Sequence, residues 1–366
     1  MKILFITGSL AATHDGVADY TLRLADALRE RGVETRCLAW SDSSIAGTQT
    51  TATHLRLPAR LPLRAKLAAA RHFLSGFHPD VASLQFVPYA FDPRGLPGKL
   101  AQELRTLLPQ TPFHVFIHEL WVLPSMRSSL KNRLIGSCLQ KPLVVKNLRA
   151  LAPRRIHTST PLYRDLLIKE NFSLGDLLPI PGNIAYVTPP TSLPATADRP
   201  TRHLGFFGNI FSSAPLEHFF EYLCELKDAT GLTLTISSAG DLPAPARQRW
   251  QRLASRFRGR LDVERLGHLT SREAAYYLQS LDILISAYSP TFWTKSGTVA
   301  AAREFAKPVV LISPRELPAN PQHPPLPPGI FTDLNATLLT HPPRLERLPI
   351  LPQLAEKFLY EISALA

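Results

Sequence analysis

Acidic residues are missing from two long stretches of this 366-residue chain, Ser43 to Pro79 and Trp121 to Tyr163. Cysteine is scarce: Cys37, Cys138 and Cys224 stand far apart, without the spacing of a zinc site or a disulfide framework. No run of about 18 apolar residues occurs, so no bilayer-spanning helix is expected. The patterns G-x-G-x-x-G, G-x-x-x-x-G-K and G-x-S-x-G are absent, and with them a dinucleotide fingerprint, a P-loop and a nucleophile elbow. No carboxylate pair stands out either. Residues 1 to 8, MKILFITG, read as a buried strand ending in glycine. They turn polar too soon for a secretory signal, and a reducing cytoplasm is the expected compartment.

What is present is positive charge, unevenly placed. Residues 1–190 hold 23 Lys/Arg against 13 Asp/Glu, whereas residues 191–366 hold 18 against 16. The second acid-free stretch alone carries Arg127, Lys131, Arg133, Lys141, Lys146, Arg149, Arg154 and Arg155. Such a field suits a phosphorylated substrate, an acidic membrane surface or nucleic acid, and it also serves solubility alone. Nucleic acid is disfavoured because aromatics are not interleaved with the basic tracts. Near Pro124 to Leu139, Leu123, Met126, Leu130 and Leu134 fall at helical spacing among Arg127, Lys131 and Arg133. That pattern fits a core helix or a basic amphipathic surface for anionic headgroups.

The length exceeds what one core usually serves, so two domains are expected. β-rich runs alternate with helical stripes: KILFIT, ETRCLAW, VASLQF, HVFIHE and RIHTST come first, and HLGFFG, LTLTISSAG, LDVERLG, LDILISA and PVVLIS follow. A helix from Val17 to Arg31, with Leu22, Ala25 and Leu28 on one face, ends at Gly32. Thr188 to Thr201 reads as a Pro/Thr-rich linker, 313–330 as an irregular proline-rich loop, and Pro352 to Leu365 as a last helix. Strand–helix–strand order implies parallel sheets, whose ligands sit beyond the carboxyl ends of the strands. A cleft between two α/β halves is therefore the default site.

Three segments carry candidate chemistry. Thr-Lys-Ser-Gly-Thr, 294–298, opens a helix, where unpaired N–H groups and the positive dipole end favour an anion. Lys295 adds a full charge, and Ser296 and Gly297 permit close approach; an ordinary helix capped by Ser296 or Thr298 has the same sequence. His118-Glu119 closes a strand and offers hydrogen bonds to substrate hydroxyls, or is satisfied within its loop. The loop Gly8 to Gly16 leads into a helix, although a turn glycine requires no ligand.

HDGVADYTLRLADALRERG, His118-Glu119, IPGNI (180–184), LGFFGNI (204–210), LGHLTSREAAYYLQSLDILISA (266–287) and KSGTVAAAREFAKPVV (295–310) occur in a telling order. Together they resemble family 4 glycosyltransferases of the GT-B fold across nearly the whole chain. The resemblance implies two Rossmann-like α/β domains facing each other across a cleft. Residues 1–190 would bind the acceptor, 200–344 the nucleotide sugar, and the helix 345–366 would pack back on the first domain. It implies that His118 contacts the transferring sugar, that Gly16 offers its amide near the sugar phosphate, and that Asp15 and Glu119 lie on the acceptor side. Gly267, His268 and Leu269 would lie beside the nucleobase, with Ser296, Gly297 and Thr298 on the diphosphate. Many members carry an Arg and, five residues later, a Lys where Asn209, which would still border the donor, and Ala214 stand, and a Glu-x7-Glu pair where Trp293 and Ala301 stand. Lys295-Ser296-Gly297-Thr298 resembles the basic-Ser-Gly-Ser/Thr signature of a subset, so Lys295 would supply the cation. The activity implied is a retaining, metal-independent transfer, with the nucleotide sugar as substrate and no cofactor. The acceptor is a glycan or lipid-linked precursor of a surface polysaccharide, met in the cytoplasm or peripherally at the inner membrane face. A non-catalytic member that binds nucleotide sugar or a partner protein is the alternative.

Overall fold

The computed structural model describes residues 1–11, 15–123, 135–188, 201–208, 210, 214–312 and 325–365. Its contacts divide the chain into two units, Met1–Ile180 with Leu351–Ala366, and Pro181–Ile350.

The first unit runs β1 (Lys2–Thr7), α1 (Gly16–Arg29), β2 (Glu34–Asp42), β3 (Gln49–Thr50), β4 (His54–Pro58), α2 (Leu63–Phe73), β5 (Val81–Phe86), α3 (Pro88–Phe91), α4 (Leu100–Leu107) and β6 (Phe113–Ile117). A π-helical turn, Ile135–Gln140, then leads into α5 (Lys141–Leu151), β7 (Arg155–Thr158) and α6 (Pro161–Lys169). The sheet order is β3-β4-β2-β1-β5-β6-β7, parallel except where β3 meets β4. The strand order reverses between β1 and β5, and ligand crevices in such sheets open at that point. Backbones crowd there: a Cβ on Gly8 would lie 2.4 Å from the carbonyl oxygen of Ala90.

The second unit contains β8 (Thr201–Phe207), α7 (Leu216–Thr230), β9 (Thr233–Ala239), α8 (Ala244–Arg256), β10 (Asp262–Gly267), α9 (Ser271–Ser280), β11 (Ile283–Ser286), α10 (Gly297–Glu304), β12 (Val309–Leu311), β13 (Ile330–Phe331) and α11 (Ala336–Thr340). All six strands are parallel in the order β10-β9-β8-β11-β12-β13, the doubly wound order with its switch point between β8 and β11. The last helix, α12 (Ile350–Ser363), seats Leu354, Phe358 and Ile362 in the first unit's core beside Ile3, Phe5 and Leu24.

The predicted strands appear within a residue or two of their expected places, and in β1, β5 and β6 five or six consecutive buried residues favour pairing within the sheet. The face of α1 differs from expectation. Tyr20, Leu24, Ala25 and Leu28 are buried and Leu22 only partly, since packing under α12 selects the stripe. β4, α2 and α4 were not foreseen. The linker (189–200), most of the expected 124–139 helix, and 313–324 of the proline-rich loop lie outside the described residues. Among the described residues no helix is long and apolar enough to cross a membrane.

Asp42, fully buried at the end of β2, fastens the loop after β1 to the sheet. Its carboxylate accepts from Arg56 Nε at 2.8 Å, Ser44 Oγ at 2.6 Å and the Leu10 amide at 3.2 Å. Burial opposes the charge, but these donors outweigh it and hold the pKa down at about 2. An unfolded aspartate titrates near 3.8. The stabilisation is therefore complete above about pH 4 and is lost as pH falls towards about 2, roughly 2 kcal/mol in all. Chemical unfolding at pH 5 and pH 2.5 checks this: Asp42→Asn is expected to lose less stability across that interval than the native protein. Equal losses would refute the assignment.

Candidate functional site

Three strands of the second unit end in glycine with positive φ: Gly208 (78°), Gly240 (105°) and Gly267 (73°). Their backbones pack against one another. The Gly208 amide donates to the Ala239 carbonyl at 2.9 Å and the Gly240 amide to the Gly267 carbonyl at 2.7 Å, while a Cβ on Gly240 would lie 3.1 Å from Gly208. A Cβ on Gly208 would lie 3.4 Å from Thr298 Oγ1. A bare backbone ledge thus runs along the carboxyl ends of β10, β9 and β8 to the first turn of α10. Only Gly267 was singled out from the sequence. The signal for the other two was present, because HLGFFG, LTLTISSAG and LDVERLG each close on glycine.

At that turn Ser296 is buried and caps α10, its Oγ accepting from the Val299 amide at 3.2 Å. The ordinary capping role is therefore real, and it leaves the dipole end of the helix in place. Gly297 also has an internal reason to be small. Asn183 donates its amide to the Gly297 carbonyl at 3.3 Å, and a Cβ on Gly297 would lie 3.3 Å from that of Asn183. Lys295 ends a 3-10 turn, Trp293–Lys295, half-buried with Nζ 5.7 Å from the Phe292 ring centroid. Thr298 is half-buried beside the ledge.

Beyond β10, His268 is exposed with Nδ1 3.0 Å from Asp241 Oδ2, and Leu269 packs partly against the core. Thr270 and Glu273 form a capping box that starts α9 there. Asn209 lies outside the described residues. Ala214 is buried in the hydrophobic core, Ala301 is buried below Gly182, and the Trp293 ring receives the Arg303 guanidinium at 5.3 Å.

In the first unit Asp15 caps α1, accepting from the Val17 amide at 2.9 Å. Burial raises its pKa, the Val17 and Ala18 amides oppose the rise, and the charges of Asp42 and Glu119 add to it. Gly16 is exposed, and nothing lies within 4 Å of where its Cβ would stand. His118 is buried: Nε2 lies 2.9 Å from Gln85 Oε1, and its ring meets Tyr20 edge-on with centroids 4.7 Å apart. Glu119 beside it is exposed. The tertiary fold thus brings Asp15, Gly16, His118 and Glu119 to the carboxyl end of one sheet. A cavity of about 820 Å³ is lined by Arg31, Arg155, Asp176, Tyr360 and Glu361, and by none of the candidate catalytic, donor or acceptor residues.

No protein-family model matches the chain, and no curated protein is significantly similar to it. Solved structures are similar in fold. Sucrose-phosphate synthase from Thermosynechococcus elongatus aligns with a TM-score of 0.58 at 14% identity, covering 85% of this chain and 81% of that one. A UDP-N-acetylglucosamine 2-epimerase aligns at 0.54 and 13% identity over 100% and 96%. HepE of Anabaena, solved with UDP and glucose, aligns at 0.52 and 13% identity over 85% and 80%. The fold is GT-B. At such identities the likeness concerns fold and carries no residue assignments.

Gly16 separates a ligand role from a packing role. Gly16→Ala is expected to fold at least as stably as the native protein, gaining up to about 1 kcal/mol in helix propensity. Were an anion held by the first amides of α1, crowding by the added methyl that costs one such hydrogen bond, about 1.5–3 kcal/mol, is expected to weaken its binding tenfold or more. Unchanged anion affinity would show that Gly16 takes no part in such a site.

Proposed function

We propose that this protein is a glycosyltransferase of the family 4 type. It would move a sugar from a nucleotide-sugar donor to a glycan or lipid-linked acceptor, with retention and without a metal. The observation that carries this reading is the glycine ledge Gly208–Gly240–Gly267 running into the Ser296-capped start of α10, at the switch point of a GT-B unit. A bare backbone at strand ends and a helix start suit a diphosphate. UDP in the similar Anabaena structure and the sucrose-phosphate synthase likeness support the same substrate class.

In this reading Gly267, His268 and Leu269 border the nucleobase, and Ser296, Gly297, Thr298 and Lys295 hold the diphosphate. Gly16 and His118 are assigned to the sugar and its phosphate, and Asp15 and Glu119 to the acceptor. The bond to the diphosphate loosens first, giving an oxocarbenium-like sugar. The acceptor hydroxyl attacks from the same face, and its proton passes to the departing phosphate oxygen. Preorganised amides and the Lys295 ammonium stabilise the growing negative charge. The basic residues 1–190 suit an acceptor presented at an anionic inner membrane face.

A panel of sugar nucleotides, screened by mass spectrometry for nucleoside diphosphate release in the presence of candidate acceptors, tests the reading. One productive donor supports it. A second reading, a non-catalytic nucleotide-sugar binder, draws on Ala214 and Ala301, which are buried where many members carry charge. Tight calorimetric binding of a donor with no release in any combination would favour that reading.

A further inference from the structure

A row of buried polar groups crosses the first unit's sheet and joins His118 to the last helix. His118 Nε2 lies 2.9 Å from Gln85 Oε1, and Gln85 Nε2 donates to Ser83 Oγ at 2.8 Å. Ser83 Oγ lies 2.8 Å from His114 Nδ1, and His114 Nε2 lies 2.9 Å from His157 Nδ1. His157 Nε2 stands 3.5 Å from Glu361 Oε2 on α12. Strand register explains the row. Ser83 pairs with His114 and Gln85 with Phe116 across β5 and β6, and Phe116 pairs with His157 across β6 and β7. These side chains therefore share one face, which α12 covers with Phe358, its ring 5.3 Å from that of His114.

Burial first, then neighbouring positive charge, lowers the pKa of His157 to about 4 and that of His114 well below the usual range. At neutral pH the His114 and His157 rings each carry one proton, so the row through them has two senses. In one, every donor points towards α12: His118 Nε2–H to Gln85, the Gln85 amide to Ser83, Ser83 Oγ–H to His114, and His114 Nε2–H to His157. The His157 Nε2–H then faces the Glu361 carboxylate. In the other, the Gln85 amide is turned, every bond reverses, and a nitrogen lone pair of His157 faces that carboxylate. The charge of Glu361 opposes the second sense. Arg155 Nε lies 3.8 Å from Glu361 Oε2, and Lys357 is paired with Asp176 at 3.1 Å, so Glu361 is the carboxylate nearest His157 among these groups.

We propose that Glu361, acting through His157, His114, Ser83 and Gln85, holds His118 in the Nε2–H tautomer. These are positioning residues: they orient the imidazole that the reading above assigns to the transferring sugar. The functional half of this statement rests on the role proposed for His118 above, and the tautomer itself does not.

Nitrogen-15 NMR of the imidazole rings at pH 7, with His118→Gln to assign the signals, reads the tautomer directly. The native protein is expected to show His118 as Nε2–H alone. Glu361→Gln keeps the shape, removes the charge, and is expected to bring both tautomers to His118, with kcat lowered at least threefold and KM for the donor within twofold. Ser83→Ala cuts the row midway and serves as the second variant should Glu361→Gln fail to fold. A native His118 in the Nδ1–H or cationic form, or one whose signals do not respond to either variant, would overturn the relay. A tautomer change with kcat unaltered keeps the relay and removes His118 from catalysis.

Discussion

Lys295→Ala is expected to lower turnover roughly a hundred- to a thousandfold, the usual cost of losing one preorganised donor to developing charge. The reason lies in what the second unit lacks. Ala214 is packed into the core, so that position carries no charge to a ligand. The Ser296 hydroxyl accepts the cap bond of α10; in the proposed reading the Lys295 ammonium would supply the charge opposite the diphosphate. A helix terminus contributes about 0.3–1 kcal/mol, up to about 2 when partly buried, which is less than a barrier of this kind requires. Lys295→Met retains the aliphatic stem beside Phe292 and isolates the charge. Both variants should unfold within about 1 kcal/mol of the native protein, because a half-exposed lysine contributes little to stability. Steady-state kcat with the identified donor is the measurement. Native turnover in either variant would show that Lys295 has been assigned wrongly.

Gly182→Ala should be a damaging single-methyl change at the start of α10. The added carbon would stand 2.6 Å from Ala301 Cα, 2.6 Å from Glu304 Oε2 and 2.9 Å from the Ala301 amide nitrogen. The close atoms include helix backbone, so the loop and α10 would have to move apart. Overpacking of this kind costs about 1–3 kcal/mol and occasionally more. A fall in Tm of roughly 2–12 °C is expected for a unit of this size. Because IPGNI braces the start of α10 through Asn183, donor affinity should fall with it. Thermal unfolding and donor calorimetry on one preparation check both effects. A variant with native Tm would mean that the loop yields without cost.

Much of the fold was legible because burial on both faces of a parallel sheet leaves a local mark. KILFIT is a nearly continuous apolar run, and VASLQF and HVFI are buried throughout despite Ser83, Gln85 and His114. Short or edge elements leave no such mark. β3 is a two-residue exposed strand, and α2 opens on Pro62 with no side-chain cap. The start of α10 was also legible, since Ser-Gly-Thr before an alanine-rich stripe is a local signal of a helix beginning.

By itself, the chain order of residues determined two α/β units, the ends of most strands and the chemistry available at each loop. Only the tertiary structure decided strand order, and with it that Gly208, Gly240 and Gly267, dozens of residues apart, form one ledge. It also decided that Gly297 is small for Asn183, and that His118 is tied through four buried side chains to a glutamate on the last helix. The physical reason is range. Periodicity and capping act over a few neighbours, whereas register, close backbone approach and buried hydrogen-bond rows arise only when distant segments share one desolvated space.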